Sequence, residues 1–218
     1  GLMFLPIAGG PTTAVKNWLA EVDSSKLEDL QSDMNQRAVR RWKKQHVPHR
    51  TFSVLRHPVA RAHASFCRCI LSTGPGSYLK IRRTLRNRFS LPIPEEMPNA
   101  DYGVSEHRIA FKAYLRFVKA NLAGQTAIRQ DSHWASQANL ISGFASFASP
   151  DVIFREDELS SGLPELTAKL GLFKTPAYES DPNETPFDLA DIYDAEIEEI
   201  CQDVYQRDYQ TFGFESWS

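Results

Sequence analysis

The apolar positions along the chain fall into short continuous runs separated by stretches with helical spacing. Leu2-Met3-Phe4-Leu5-Pro6-Ile7 is apolar throughout and ends at Gly9-Gly10-Pro11, after which Thr12 or Thr13 can cap a helix running through Trp18 and Leu19. That is strand, glycine-rich loop, helix. Thr51-Phe52-Ser53-Val54-Leu55 is a second strand, rich in β-branched residues, and Pro58 suits the first turn of a helix reaching about Leu71. Asp151 to Phe154 predicts a third strand, followed by a helix from about Asp157 to Leu170. Ser105 to Leu122 carries Phe111, Tyr114, Phe117 and Val118 at helical spacing, with Ser105 as the expected cap, and these aromatics are expected in the core. Ile197, Ile200, Cys201, Val204 and Tyr205 set the apolar face of a last helix.

Strands alternating with helices predict an α/β fold with a parallel sheet covered by helices on both faces, and such sheets bind ligands beyond the carboxyl ends of their strands. The loops after Ile7 and Leu55 then share one edge. A chain of 218 residues is long enough for one substantial core, so a single domain over 1–218 is expected. Leu91 to Pro98 and Lys174 to Pro186 are Pro-rich links, the first a candidate lid or disordered segment.

Charge changes this picture. Residues 1–90 hold 16 Lys and Arg against 5 Asp and Glu, whereas the rest of the chain is acidic enough to bring the net charge to −2. The basic half is therefore expected to meet an anion. Asn35 to His46 is a strongly basic helix, and Lys80 to Arg88 a second basic stretch. Both could contact nucleic acid, but no nucleic-acid-reading motif accompanies them.

Cys67, Cys69 and Cys201 form neither an even disulfide framework nor a zinc-type pair, so reduced thiols, no metal and a cytoplasmic location are expected. No signal peptide is visible, and no apolar run approaches the length of a membrane span. Asn183-Glu184-Thr185 matches a glycosylation sequon, read as a chance match because Pro186 follows.

The candidate chemistry gathers at the shared edge. Arg56 directly follows a strand and Ser65 lies further along the next helix, so a phosphate could meet a guanidinium and a hydroxyl there. Pairing of Arg56 with a carboxylate of the acidic half is the competing reading. Gly9, Gly10, Pro11, Thr12 and Thr13 can form an anion-binding turn, with Lys16 supplying charge. The nucleoside triphosphatase pattern G-x-x-x-x-G-K-(S/T) is absent, which disfavours that class.

The string Arg56-His57-Pro58-Val59-Ala60-Arg61-Ala62-His63-Ala64-Ser65-Phe66 resembles the 3′-phosphate-binding motif of sulfotransferases, especially the carbohydrate-type family 2, with bacterial nodulation-type relatives looking close. His133-Trp134-Ala135-Ser136-Gln137 is similar to the family's H-W-x-x-Q segment, and Val152 to Leu159 to its strand followed by E-D-L. Tyr205 to Phe214 is similar to its closing Y-x-x-D-(F/Y)-x-x-F-G-(F/Y). The resemblance implies a three-layer P-loop-like fold and a donor, 3′-phosphoadenosine 5′-phosphosulfate (PAPS), that leaves as adenosine 3′,5′-bisphosphate. Arg56 would hold the 3′-phosphate, and the acceptor would be a hydroxyl, expected on a carbohydrate. His49, then His46, precede the second strand in the region where some carbohydrate sulfotransferases carry a histidine base.

Two positions depart from the family pattern. Its first loop lysine falls on Gly9 or Ala8, and its motif serine falls on Ala64, one place before Ser65. These departures motivate an alternative, a non-catalytic protein that holds an anion or acidic glycan on a sulfotransferase scaffold.

Overall fold

The computed structural model describes residues 1–31, 35–180 and 185–218. Along the chain, its elements run β1 (Leu2–Phe4), α1 (Thr12–Val22), α2 (Gln36–Gln45), β2 (Arg50–Leu55), α3 (Pro58–Ser65), α4 (Leu79–Phe89), α5 (Val104–Leu122), α6 (Gln137–Phe144) and β3 (Val152–Arg155). They continue with α7 (Leu159–Ala168), α8 (Leu189–Ile192), α9 (Ala195–Val204) and α10 (Gln206–Phe212). A π-helical turn, Phe66–Leu71, continues α3 directly. The chain divides into two compact units, Gly1–Arg56 with Gln137–Pro182, and His57–Ser136 with Asn183–Ser218.

The first unit is built on a parallel sheet of order β1-β2-β3, with Phe4 opposite Phe52 and Phe52 opposite Val152. β2 is the middle strand and is buried from Thr51 onward, which is why its sequence is a continuous run and not an alternation. The side-chain period of two sorts β1 between two layers. Leu2 and Phe4 join Phe52 and Val54 against Val15 and Trp18 of α1 and Leu159, Leu163 and Leu166 of α7. Met3 and Leu5 pack with Val39 and, at the margin, Trp42 of α2. Helices thus cover both faces of a short parallel sheet, the α/β architecture that the pattern predicts.

At the amino ends of β2 and β3, the Thr51 N–H and hydroxyl donate to one carboxylate oxygen of Asp151 at 2.7 and 2.9 Å, which fixes the register there. Burial opposes ionisation of Asp151, but the Thr51 hydrogen bonds and the nearby Lys43 and Arg50 outweigh it and hold the carboxyl below its ordinary range.

The second unit packs around α5. Phe111, Tyr114, Leu115 and Val118 are buried with Phe66 and Ile70 of the π turn and with Ile197 and Cys201 of α9, so the α5 aromatics are core, as their spacing predicts. Lys112 on α5 ties the start of α9 through Asp194 and Glu196 at 2.8 and 2.6 Å. Gly103, not Ser105, is the cap before α5, and Glu106 reaches back to accept from the Gly103 N–H at 3.0 Å.

The basic stretch Lys80 to Arg88, to which the sequence pattern assigns no element, forms most of α4. Two local expectations are corrected. Pro11, not a threonine, precedes the first turn of α1. The link Leu91 to Pro98 is packed: Leu91 and Ile93 are buried, and the Arg82 guanidinium donates to the carbonyls of Pro94 and Glu95. Residues 181–184 of the second Pro-rich link, including the Asn183-Glu184 part of the sequon, lie outside the described residues. All three cysteines are free and buried. No helix among the described residues is long and apolar enough to cross a membrane.

Candidate functional site

Because all three strands of the first unit run parallel, their carboxyl ends deliver the loop after Ile7, Arg56 and Glu156 to one sheet edge. The loop turns sharply there. Gly9 has φ +81°, a conformation that side chains rarely adopt, and its neighbour Gly10 donates its N–H to the Ile7 carbonyl at 2.9 Å. A Cβ on Gly10 would sit 3.1 Å from that same carbonyl, so the tight turn favours a residue without one. The chain then enters α1, whose first turn contains no acidic residue and whose preceding residue, Pro11, gives no side-chain cap. The dipole of this 11-residue helix places positive partial charge at this edge. Thr12 is half-buried, Thr13 is exposed, and Lys16 follows one turn on, from where helical side chains lean back toward the helix start.

Arg56 links this loop to the rest of the edge. Its Nε and one terminal nitrogen donate to the two carboxylate oxygens of Glu156 at 2.6 and 2.5 Å, and its other terminal nitrogen donates to the Gly9 carbonyl at 3.2 Å. Guanidinium and carboxylate are 21% and 28% exposed, so incoming solute can reach both. Gln137, fully buried at the start of α6, accepts from the Arg56 N–H at 3.1 Å and donates to the Arg56 carbonyl at 2.9 Å. A side-chain amide thus takes the place of a strand neighbour where the strand has run out.

The histidines named from sequence stand elsewhere. His46 stacks on Trp42 with ring centroids 4.5 Å apart, and its Nδ1 lies 2.9 Å from the Trp42 carbonyl. The Nδ1 of His49 lies 2.9 Å from the His46 carbonyl. Both precede β2, whereas Arg56 follows it, so about 20 Å of strand separates them from the loop edge at about 3.3 Å per residue. The structure brings Gly9, Gly10, Pro11, Thr12, Thr13, Lys16 and Arg56 to one edge and leaves His46 and His49 at the opposite one.

In the second unit, the residues around the other recurring motifs meet in one lock. Four successive carbonyls, from Ser132 to Ala135, each accept from a side chain. Arg61 donates to Ser132 and Ala135 at 2.7 and 2.8 Å, Ser65 to His133 at 2.8 Å, and Tyr205 to Trp134 at 3.2 Å. Ser65 is 1% exposed, so its hydroxyl is committed to this loop.

The family model described as sulfotransferase family matches residues 12–215. The chain belongs to the sulfotransferase family. The comparisons with curated proteins and with solved structures return no significant match. In this sulfotransferase the family-like segments Arg56 to Phe66, His133 to Gln137 and Tyr205 to Phe214 are spatially linked within each unit, Arg56 through Gln137 in the first, and Arg61, Ser65 and Tyr205 through residues 132–135 in the second.

The sequence pattern alone gives neither Glu156 nor Gln137 a role at this edge. The pairing of Arg56 with a carboxylate of the acidic half, weighed from charge alone, is the arrangement present. Gln137 carried one usable signal, its place at the end of the H-W-x-x-Q segment.

Also in the second unit, His133 and Asp131 form a pair, with Nδ1 2.8 Å from Oδ1, and the Tyr78 hydroxyl lies 2.9 Å from the same Nδ1. Burial opposes ionisation of Asp131, yet the hydrogen bonds from the His133 N–H and ring draw it below its ordinary value. Burial, with Asp131 adding to it, pushes the Tyr78 hydroxyl up to about 12. A groove of about 710 Å³ runs alongside, bearing Lys80, Thr84, Arg129, Gln130, Asp131 and Ser132.

Proposed function

We propose that this sulfotransferase moves the sulfuryl group of PAPS to a hydroxyl of a carbohydrate acceptor, and that the whole chain, 1–218, works as one domain. The observation that carries this reading is the shared carboxyl edge, where the Gly9–Gly10 turn and the start of α1 lie beside Arg56, joined by the bond from Arg56 to the Gly9 carbonyl. A helix start without acidic residues suits the 5′-phosphosulfate, and a guanidinium suits the 3′-phosphate. The family match, which covers parts of both compact units, supports the single working domain.

In the transfer, a bond forms between the acceptor oxygen and sulfur while the bond from sulfur to the 5′-phosphate oxygen breaks. The acceptor proton passes to a base or to water, and adenosine 3′,5′-bisphosphate leaves. Such a reaction depends chiefly on positioning and on donors aimed at the charge that builds on the bridging oxygen. The start of α1 and Lys16 bring positive charge to this edge, where Gly9 or Ala8 stands in place of the family pattern's first lysine. His46 and His49 have no part in this reading, given their place at the opposite end of β2.

A carbohydrate acceptor is supported by the resemblance of Arg56 to Phe66 to the carbohydrate-type motif; within the second unit, Lys80, Arg129, Gln130, Asp131 and Ser132 of the groove are donors and acceptors of the kind that bind sugar hydroxyls. The test is transfer of ³⁵S from labelled PAPS to a panel of neutral and acidic oligosaccharides. Labelled sugar is the expected product. Binding of the glycans without transfer, and without any need for nucleotide, would favour the non-catalytic alternative.

A further inference from the structure

His63 on α3, Cys67 in the π turn and His107 on α5 are all buried, and their side-chain donor atoms converge. The two Nε2 atoms are 2.9 Å apart, and Cys67 Sγ lies 3.5 Å from that of His63 and 3.8 Å from that of His107. A triangle with those sides has its circumcentre about 2.0 Å from each corner, close to the zinc–nitrogen length of about 2.0–2.1 Å and the zinc–sulfur length of about 2.3 Å.

The surroundings fit the same reading. The Tyr102 hydroxyl lies 3.2 Å from His107 Nδ1, the second ring nitrogen, where an outer partner orients a metal-binding imidazole and leaves the Nε2 lone pair facing inward. Phe187 stacks on His107 at 4.5 Å, and Phe66 and Phe111 flank the two rings, so the trio sits in an aromatic jacket. The chain winds as a π-helix from Phe66 to Leu71, a local irregularity that clusters at functional positions. His63 and Cys67 are four residues apart, and His107 comes from another helix, which is why ligand spacing in the sequence gave no warning.

We propose that His63 Nε2, His107 Nε2 and Cys67 Sγ form a three-ligand site for one thiophilic d¹⁰ cation, zinc(II) or copper(I), that clips α3 to α5. A thiolate with two imidazoles selects this class over magnesium or calcium, which favour oxygen. Binding replaces the Cys67 S–H bond with a sulfur–metal bond and releases one proton to solvent; neither metal nor protein changes oxidation state. None of Gly9 to Lys16 or Arg56 takes part, so the site stands independently of the nucleotide reading.

The test uses the full chain, purified without a metal-chelating tag, with zinc and copper measured by mass spectrometry. Metal-stripped protein is then titrated with Co²⁺ in one arm and, anaerobically, with Cu⁺ against a chromogenic chelator in another. One metal per folded chain is expected. A zinc site gives Co²⁺ an intense thiolate charge-transfer band that Zn²⁺ abolishes, whereas a copper site withdraws Cu⁺ from the chelator at 1:1 and gives Co²⁺ no such band. Cys67→Ser should weaken binding at least tenfold, and Tyr102→Phe, which spares the ligands, by about tenfold. Folded wild-type protein that takes up neither ion at 1:1 overturns the proposal without recourse to any variant. So does a folded Cys67→Ser protein with wild-type affinity.

Discussion

Gln137 grips both backbone groups of Arg56, accepting from its N–H at 3.1 Å and donating to its carbonyl at 2.9 Å, while itself fully buried. The pairing holds the peptide at the end of β2, and with it the origin of the Arg56 side chain. Gln137→Leu preserves volume roughly but leaves that N–H and carbonyl without these partners. A stability loss of about 2–4 kcal/mol is expected in urea unfolding, since each buried group that loses its partner costs about 1–3 kcal/mol. A loss below about 0.5 kcal/mol would mean that the amide is incidental.

Glu156 occupies the donors that a phosphate would need. Its two oxygens take the Nε and one terminal nitrogen of Arg56, a bidentate arrangement that competes directly with a phosphate dianion. Glu156→Gln removes the competing charge and keeps an acceptor. Calorimetric titration should then show adenosine 3′,5′-bisphosphate binding about 3–10 times more tightly, about 0.7–1.4 kcal/mol. Equal or weaker binding would show that the carboxylate positions Arg56 more than it blocks it.

Ser65 separates two roles that one motif suggests. Its hydroxyl donates to the His133 carbonyl and is buried, so Ser65→Ala should cost about 1 kcal/mol of stability and leave nucleotide affinity within twofold. A tenfold loss of affinity with unchanged stability would restore Ser65 to the phosphate site.

Much of the fold was legible because the runs that form β1, β2 and β3 are continuous and bounded by Gly or Pro. Arg56 and the Gly9–Gly10 turn were legible for the same reason: strand ends locate them. What stayed hidden depends on distant chain segments. Glu156 meets Arg56 across 100 residues and Gln137 across 81, and no local pattern encodes either contact. Arg82 belongs to a basic stretch whose charge gives no sign of burial, yet it is buried because its donors reach the carbonyls of the next loop. The helix from Gln137 to Phe144 escaped notice since its eight residues show little apolar periodicity.

Glu198 predicts an acid limit. It is buried, and although burial raises its pKa, hydrogen bonds from Tyr209, the Trp217 N–H, Tyr193 and Gln202 outweigh this and hold it below its ordinary 4.5. A carboxyl depressed in the folded state contributes stability above its unfolded pKa and loses it as pH falls through the folded value. Wild-type melting temperature should therefore drop more steeply below about pH 4.5 than that of Glu198→Gln, which should start about 1–3 kcal/mol less stable at pH 7. Parallel curves for the two proteins would remove Glu198 from the acid transition.

The most direct measurement is thermal stabilisation by adenosine 3′,5′-bisphosphate in wild type and Arg56→Ala. At 100 times its dissociation constant the nucleotide should stabilise wild type by about 2.7 kcal/mol, and at the same concentration the variant, once shown to be folded, should gain almost nothing. Equal stabilisation of both proteins, or none in folded wild type, would contradict a nucleotide site built on Arg56.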